Sequence, residues 1–72
     1  MNQKLRMIMA EVLEVDPALI TSQTSVKNQS KWDSLRQMNL IFAIEDGFGV
    51  RFSDDELPNL TSVAAIERVL AK

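Results

Sequence analysis

Cysteine, histidine and tyrosine are all absent from this chain of 72 residues, and each absence removes a class of chemistry. Without cysteine there is no disulfide framework, no thiolate zinc site and no redox chemistry on the chain itself. Without histidine the usual general base near neutral pH is missing, and with it every Ser-His or Cys-His nucleophile. The remaining carboxylates and lysines fall in no spacing that suggests a paired acid–base site. Glycine is scarce, and Gly47 and Gly49 lack the preceding strand and the Gly-Lys-Ser/Thr element that a phosphate loop needs. No apolar run is long enough to cross a membrane. The opening "MNQKLRMIMAEVLEV" is interrupted by Glu11 and Glu14, which does not suit the unbroken apolar stretch of a signal peptide. The expectation is one cytoplasmic, monomeric domain over residues 1–72, with a small core and no room for an internal active-site cavity.

Charge of positive sign is short in the second half. Residues 1–36 hold five basic and four acidic side chains, whereas residues 37–72 hold three basic and six acidic ones. The second half therefore repels polyanions, so nucleic acid is not an expected partner, while a basic protein surface would be steered towards it.

Helical periodicity, by contrast, is plentiful. Leu5, Ile8, Met9, Val12 and Leu13 fall on one stripe, which predicts a first helix capped by Asn2 and ended by Asp16-Pro17. A long polar connection over 15–32 comes next, with Leu19, Ile20 and Val26 expected to pin it to the core and Trp32 to bury its end. Asp33 predicts an N-cap, and from Ser34 to about Asp46 nothing interrupts a second helix. Its apolar residues form two stripes: Leu40, Ile41, Ile44 and Phe48 on one face, Leu35, Met38 and Phe42 on another. One small bundle can hardly bury both, so the second stripe is either core filler or a face offered to a partner or ligand. Asp46-Gly47 resembles a hairpin turn, but "NLIFAIE" does not alternate cleanly, so Gly47 is expected at the frayed end of the helix. "SDDE" at 53–56 has the capping-box pattern and predicts a short third helix ended by Pro58. Thr61-Ser62 then caps a last helix whose inner stripe is Val63, Ile66, Val69 and Leu70. The predicted fold is all-α: a small bundle of three longer helices and one short one.

The candidate functional residue is Ser34. A serine in the first turn of a helix exposes a primary hydroxyl beside free backbone N–H groups, a setting that favours an attached or bound phosphate. The plain alternative is that Asp33-Ser34 is only a capping pair. A small hydrolase built on Ser34 fails for want of a base.

"WDSLRQMNLIFAIEDGFGVRF" followed by "LTSVAAIERVL" resembles an acyl carrier protein, with the Asp-Ser-Leu motif at Asp33, Ser34 and Leu35. The resemblance spans nearly the whole chain and agrees with the all-α bundle. It implies that Ser34 receives 4′-phosphopantetheine from coenzyme A through a separate phosphopantetheinyl transferase that depends on magnesium. The arm's terminal thiol then carries an acyl or aminoacyl group as a thioester between loading and transferring enzymes, and the chain itself is not an enzyme. Partner-facing residues implied by the resemblance are Arg36, Met38, Asn39, Phe42, Glu45 and Asp46, with Leu35 beside the arm. Arg36 and Asn39 stand where general fatty-acid carriers usually carry acids, and Trp32 is more like specialised discrete carriers, including D-alanyl carrier proteins. Both departures point to a dedicated pathway. The other reading consistent with the sequence is a carrier-like docking or regulatory subunit that is never modified.

Overall fold

The computed structural model describes residues 1–71 and comprises three α-helices and two single-turn 3-10 segments, with no β-strand among those residues. Helix α1 spans Gln3–Leu13, and its first turn is closed by the Asn2 Oδ1, which accepts from the Leu5 N–H at 2.9 Å. Leu5, Met9 and Leu13 are wholly buried, with Ile8 and Val12 packed at the margin of the core. The helix ends about where the connection is expected to begin, but the stop is made at Glu14 rather than by Asp16-Pro17. Glu14 takes the left-handed conformation at φ 57° and ψ 48°, and its N–H turns back to the Ala10 carbonyl. Such a backbone costs a residue with a Cβ roughly 1–2 kcal/mol. Asp16 instead opens the first 3-10 turn, Pro17–Leu19, accepting from the Ala18 N–H at 2.8 Å.

The long connection beyond this turn is pinned by fewer apolar residues than predicted: Ile20 is fully buried, but Leu19 and Val26 are exposed. Hydrogen bonds supply the rest. The buried Thr24 Oγ1 accepts from the Thr21 N–H at 2.9 Å and donates to the Leu19 carbonyl. The Thr24 carbonyl accepts from the Val63 N–H at 2.9 Å, and the Val26 N–H donates to the Thr61 carbonyl at 3.0 Å, an isolated antiparallel bridge at Ser25 and Ser62. Trp32 is buried at the end of the loop, as its size and position suggest.

Helix α2, Ser34–Phe48, is the central element. Leu40 and Ile44 are completely buried and Ile41 nearly so. The helix runs straight through Asp46-Gly47 to Phe48, so Gly47 is not its frayed end and no hairpin forms there; Gly49, at φ 65°, terminates it with its N–H on the Glu45 carbonyl. Gly47 has a different role. A Cβ there would lie 2.7 Å from Ile8 Cδ1, so the missing side chain lets α1 and α2 approach closely. Nearby, the Lys4 ammonium sits 5.1 Å from the centre of the Phe48 ring.

The capping box at Ser53–Glu56 forms with both reciprocal bonds, Ser53 N–H to Glu56 Oε1 at 2.9 Å and Glu56 N–H to Ser53 Oγ at 3.3 Å. It leads into the second 3-10 turn, Leu57–Asn59, with Pro58 inside it rather than ending it, because the first turn of a helix has no use for that N–H. The short fourth helix is thus a single tight turn. Helix α3, Val63–Leu70, starts on the Ser62 Oγ, which accepts from the Ala65 N–H at 3.1 Å; Val63 and Ile66 are buried, with Val69 and Leu70 at the edge.

Two polar side chains of α2 tie these parts together. Gln37 accepts from the Trp32 indole N–H and donates from Nε2 to the Leu60 carbonyl at 2.8 Å, joining the long loop, α2 and the second 3-10 turn. Arg36 reaches across to α1's terminus, with Nη2 2.8 Å from Glu14 Oε2, and its Nη1 lies 3.6 Å from Asp33 Oδ2. Its hydrogen bond and charge hold the Glu14 carboxyl below its ordinary value, while Glu14 in turn raises Arg36.

Gln37→Ala leaves the indole N–H and the Leu60 carbonyl without this partner in a partly buried place, and is expected to lower stability by about 1–3 kcal/mol in urea unfolding. A loss within experimental error would show that water replaces the amide at no cost. For Glu14, a carboxyl whose folded pKa is depressed stabilises fully above its unfolded value of 4.5 and loses that contribution as pH falls through the folded value. The stability gap between wild type and Glu14→Gln should therefore be level near neutrality and shrink on acidification below about 4.5. A gap independent of pH would disprove the pairing.

Candidate functional site

Ser34 is the first residue of α2 and is exposed. Asp33 is extended, at φ −103° and ψ −177°, and folds the chain into the helix: its Oδ1 accepts from the Arg36 N–H at 2.8 Å and its carbonyl from the Gln37 N–H at 2.8 Å. The cap thereby occupies the Asp33 side chain, which leaves the Ser34 hydroxyl facing water at the electropositive end of a helix of 15 residues.

The second apolar stripe of α2 is not core filler. Leu35, Met38 and Phe42 are 72%, 59% and 61% exposed, respectively, an unusual run of large apolar side chains in water directly below Ser34. Between α2 and the second 3-10 turn lies a cleft of about 200 Å³ lined by Gln37, Met38, Ile41, Phe42 and Leu57. Its walls are apolar apart from Gln37. A larger hollow of about 450 Å³ opens at the far end of α2 among Glu45, Asp46, Gly49, Val50 and Arg51, with Phe42 shared between the two. That hollow is wide and its lining is about as polar as apolar, so the smaller, almost wholly apolar cleft is the one suited to an apolar group.

Of the remaining predicted residues, Asn39 and Asp46 are exposed. Arg36 and Glu45 are less free than their types suggest. Arg36 is engaged by Glu14 and Asp33, so its positive charge is largely answered within the chain. The Glu45 carboxylate accepts from the Phe52 N–H at 2.9 Å and so fixes the segment after the helix. Gln37 and Leu57 are cleft residues that sequence reasoning passed over. Gln37 carried a signal, since it lies three and four residues before Leu40 and Ile41 on the inward face; Leu57 carried none.

A family described as "Phosphopantetheine attachment site" matches residues 3–70. An acyl carrier protein of Thermosynechococcus vestitus is 36% identical over 61 residues, which is 85% of this chain and 75% of that protein. The solution structure of the holo acyl carrier protein from Geobacter metallireducens superposes with a TM-score of 0.81 at 31% identity, covering 93% of this chain and 77% of that one. With an all-helical bundle, an exposed serine heading α2 and a family match over nearly its entire length, the chain belongs to the acyl carrier protein family, whose members are carriers rather than enzymes and bear covalent 4′-phosphopantetheine.

Proposed function

We propose that the arm is attached at Ser34 and that this protein is a discrete cytoplasmic carrier, moving thioester intermediates between the enzymes of a dedicated pathway. The observation that carries the reading is the exposed Ser34 hydroxyl, set by the Asp33 cap and adjoined by the exposed Leu35, Met38 and Phe42. In the attachment step, Ser34 Oγ forms the new ester bond to phosphorus, the pyrophosphate bond of coenzyme A breaks, and the nucleotide half departs. The hydroxyl proton goes to a base on the transferase, as a chain without histidine requires. The thiol of the attached arm supplies the thioester chemistry that a chain without cysteine lacks.

The chain's own residues present the arm. Asp33 holds the first turn closed, so Ser34 is offered on a rigid element rather than on a loose loop. Leu35 and Met38 border the arm, and Met38 and Phe42 meet partner enzymes as deformable apolar contacts. The cleft between Met38, Ile41, Phe42 and Leu57 gives an apolar cargo a place beside α2. Dedicated use is supported by the α2 surface: Asn39 is neutral and Arg36 cancels acidic charge, so basic patches that read an acidic strip find negative charge only further along, at Asp46, Asp54 and Asp55.

Incubation with coenzyme A, magnesium and a promiscuous phosphopantetheinyl transferase is expected to add one phosphopantetheine to wild type and none to Ser34→Ala, read by intact mass. Folded wild type that stays unmodified, alongside a carrier that is modified in parallel, would instead favour an unmodified docking subunit. Because Met38 and Phe42 are exposed, Met38→Ala and Phe42→Ala should each change stability by no more than about 0.5 kcal/mol. The kcat/KM for modification by the same transferase should nonetheless fall roughly fivefold or more in the double variant, the loss of a contact worth about 1 kcal/mol. An unchanged rate would remove both residues from the contact surface.

A further inference from the structure

We propose that Arg36 is the residue that binds the phosphodiester of the arm: once Ser34 is modified, the guanidinium turns from Glu14 to the phosphate, and Glu14 is released. The inference rests on the assignment of the arm to Ser34. Arg36 already folds back towards the head of its own helix, with Nη1 3.6 Å from the carboxylate of Asp33, the residue before Ser34. At that distance Nη1 has an electrostatic neighbour but no hydrogen bond, so part of the guanidinium fork is available. The side chain is 27% exposed and lies two residues beyond Ser34, so part of it stays open to solvent near the serine.

The present partner is a weak holder. Glu14 is 71% exposed, and a surface pair of this kind contributes little after solvation and side-chain entropy are counted. It also sits at a left-handed, non-glycine helix terminus, where the backbone is under strain. A phosphodiester has three advantages over it. Its charge is covalently fixed on the residue next to Asp33, so its local concentration is high. Its oxygens match the planar guanidinium fork. It also stays ionised at pH values where a carboxylate becomes protonated.

The exchange moves charge across the surface. Modification would answer the new phosphate with Arg36 and leave the Glu14 carboxylate without its partner at the end of α1, with Lys31 as the other charged group acting on it. The tie between α1's terminus and α2's first turn would loosen at the same time. Apo and modified forms then present different charge patterns around Ser34, which gives enzymes that act on only one form something to read.

The test is an NMR titration of the Glu14 side-chain carboxyl in apo protein and in protein treated with coenzyme A and transferase, each checked by intact mass. In wild type the Glu14 midpoint should move upward on modification, towards its position in apo Arg36→Gln. Coincident apo and holo midpoints, with the arm shown by mass, would overturn the exchange while leaving Ser34 as the attachment site. Absence of any mass gain would overturn the Ser34 assignment and this inference with it. Simple repulsion between the phosphate and Glu14 is separated by Arg36→Gln, in which no upward shift should remain; a persisting full shift would refute a role for Arg36. Independently of any variant, wild-type holo protein should show nuclear Overhauser contacts between the Arg36 side chain and the arm's methylene beside the phosphate. Their absence would refute the contact.

Discussion

The arrangement around Ser34 depends on one amide side chain. Gln37 stands one turn into α2, accepts from the Trp32 indole and donates to the Leu60 carbonyl, so three chain segments meet on it. A domain of this size has little core with which to hold long connections. The loop before α2 contributes only Ile20, Thr24 and Trp32 to the buried interior, and the segment after α2 keeps its course through the 3-10 turn ending at Leu60. Burial of Trp32 and Leu60 brings both segments against α2, and a polar contact that each can reach fixes where they meet it. Gln37 supplies it while lining the apolar cleft, so the same residue sets the loop and shapes a wall of the site. Among the described residues, no buried side-chain nitrogen or oxygen is left without a partner, which is the condition under which such polar joints stabilise rather than cost.

Local signals and long-range ones are not equally legible in the sequence. The caps at Asn2, Asp33, Ser53 and Ser62 can all be read, because a side-chain oxygen three residues before a free N–H is a short-range relation. The inward stripe of α2 is legible for the same reason. The end of α1 is not: a left-handed glutamate is disfavoured by local rules, and it is retained with Arg36, twenty-two residues away, holding its side chain. Gly47 reads as a stop signal, wrongly, because its value lies in the approach of Ile8 from another helix. Leu19 and Val26 belong to the core on hydropathy alone, whereas Thr24 and the bridge between Ser25 and Ser62 hold that loop in fact. Polar long-range contacts leave almost no trace in periodicity.

The candidate site shows the same division. Ser34, its cap and the exposed stripe below it are properties of one helix and can be read from that helix. The cleft is a property of two elements, since Leu57 closes it from a turn whose position depends on Gln37 and on the capping box at Ser53 and Glu56. Glu45 looks like part of an acidic docking surface, yet its carboxylate is the acceptor that fixes Phe52. Residue type indicates what a side chain is able to do; only the fold decides whether that capacity faces inward or outward.

Charge near Ser34 follows from these internal commitments. An arginine in the first turn of a helix works against the helix dipole, whose positive end lies there. The sequence tolerates it because Glu14 and Asp33 bring two carboxylates to the guanidinium. With two carboxylates around one guanidinium the arrangement keeps a single net negative charge rather than a positive one, and it differs from an acidic strip by partial cancellation, not by repulsion. A partner approaching α2 meets a muted field around Ser34, apolar contacts at Leu35, Met38 and Phe42, and uncancelled negative charge only beyond, at Asp46, Asp54 and Asp55. If this surface is the docking face proposed above, recognition rests more on apolar fit near the serine than on steering at a distance, since steering scales with uncompensated charge and falls with salt, whereas apolar contact does not. The dedicated use proposed for this carrier draws on that difference, since an enzyme that reads charge alone would find little of it around Ser34.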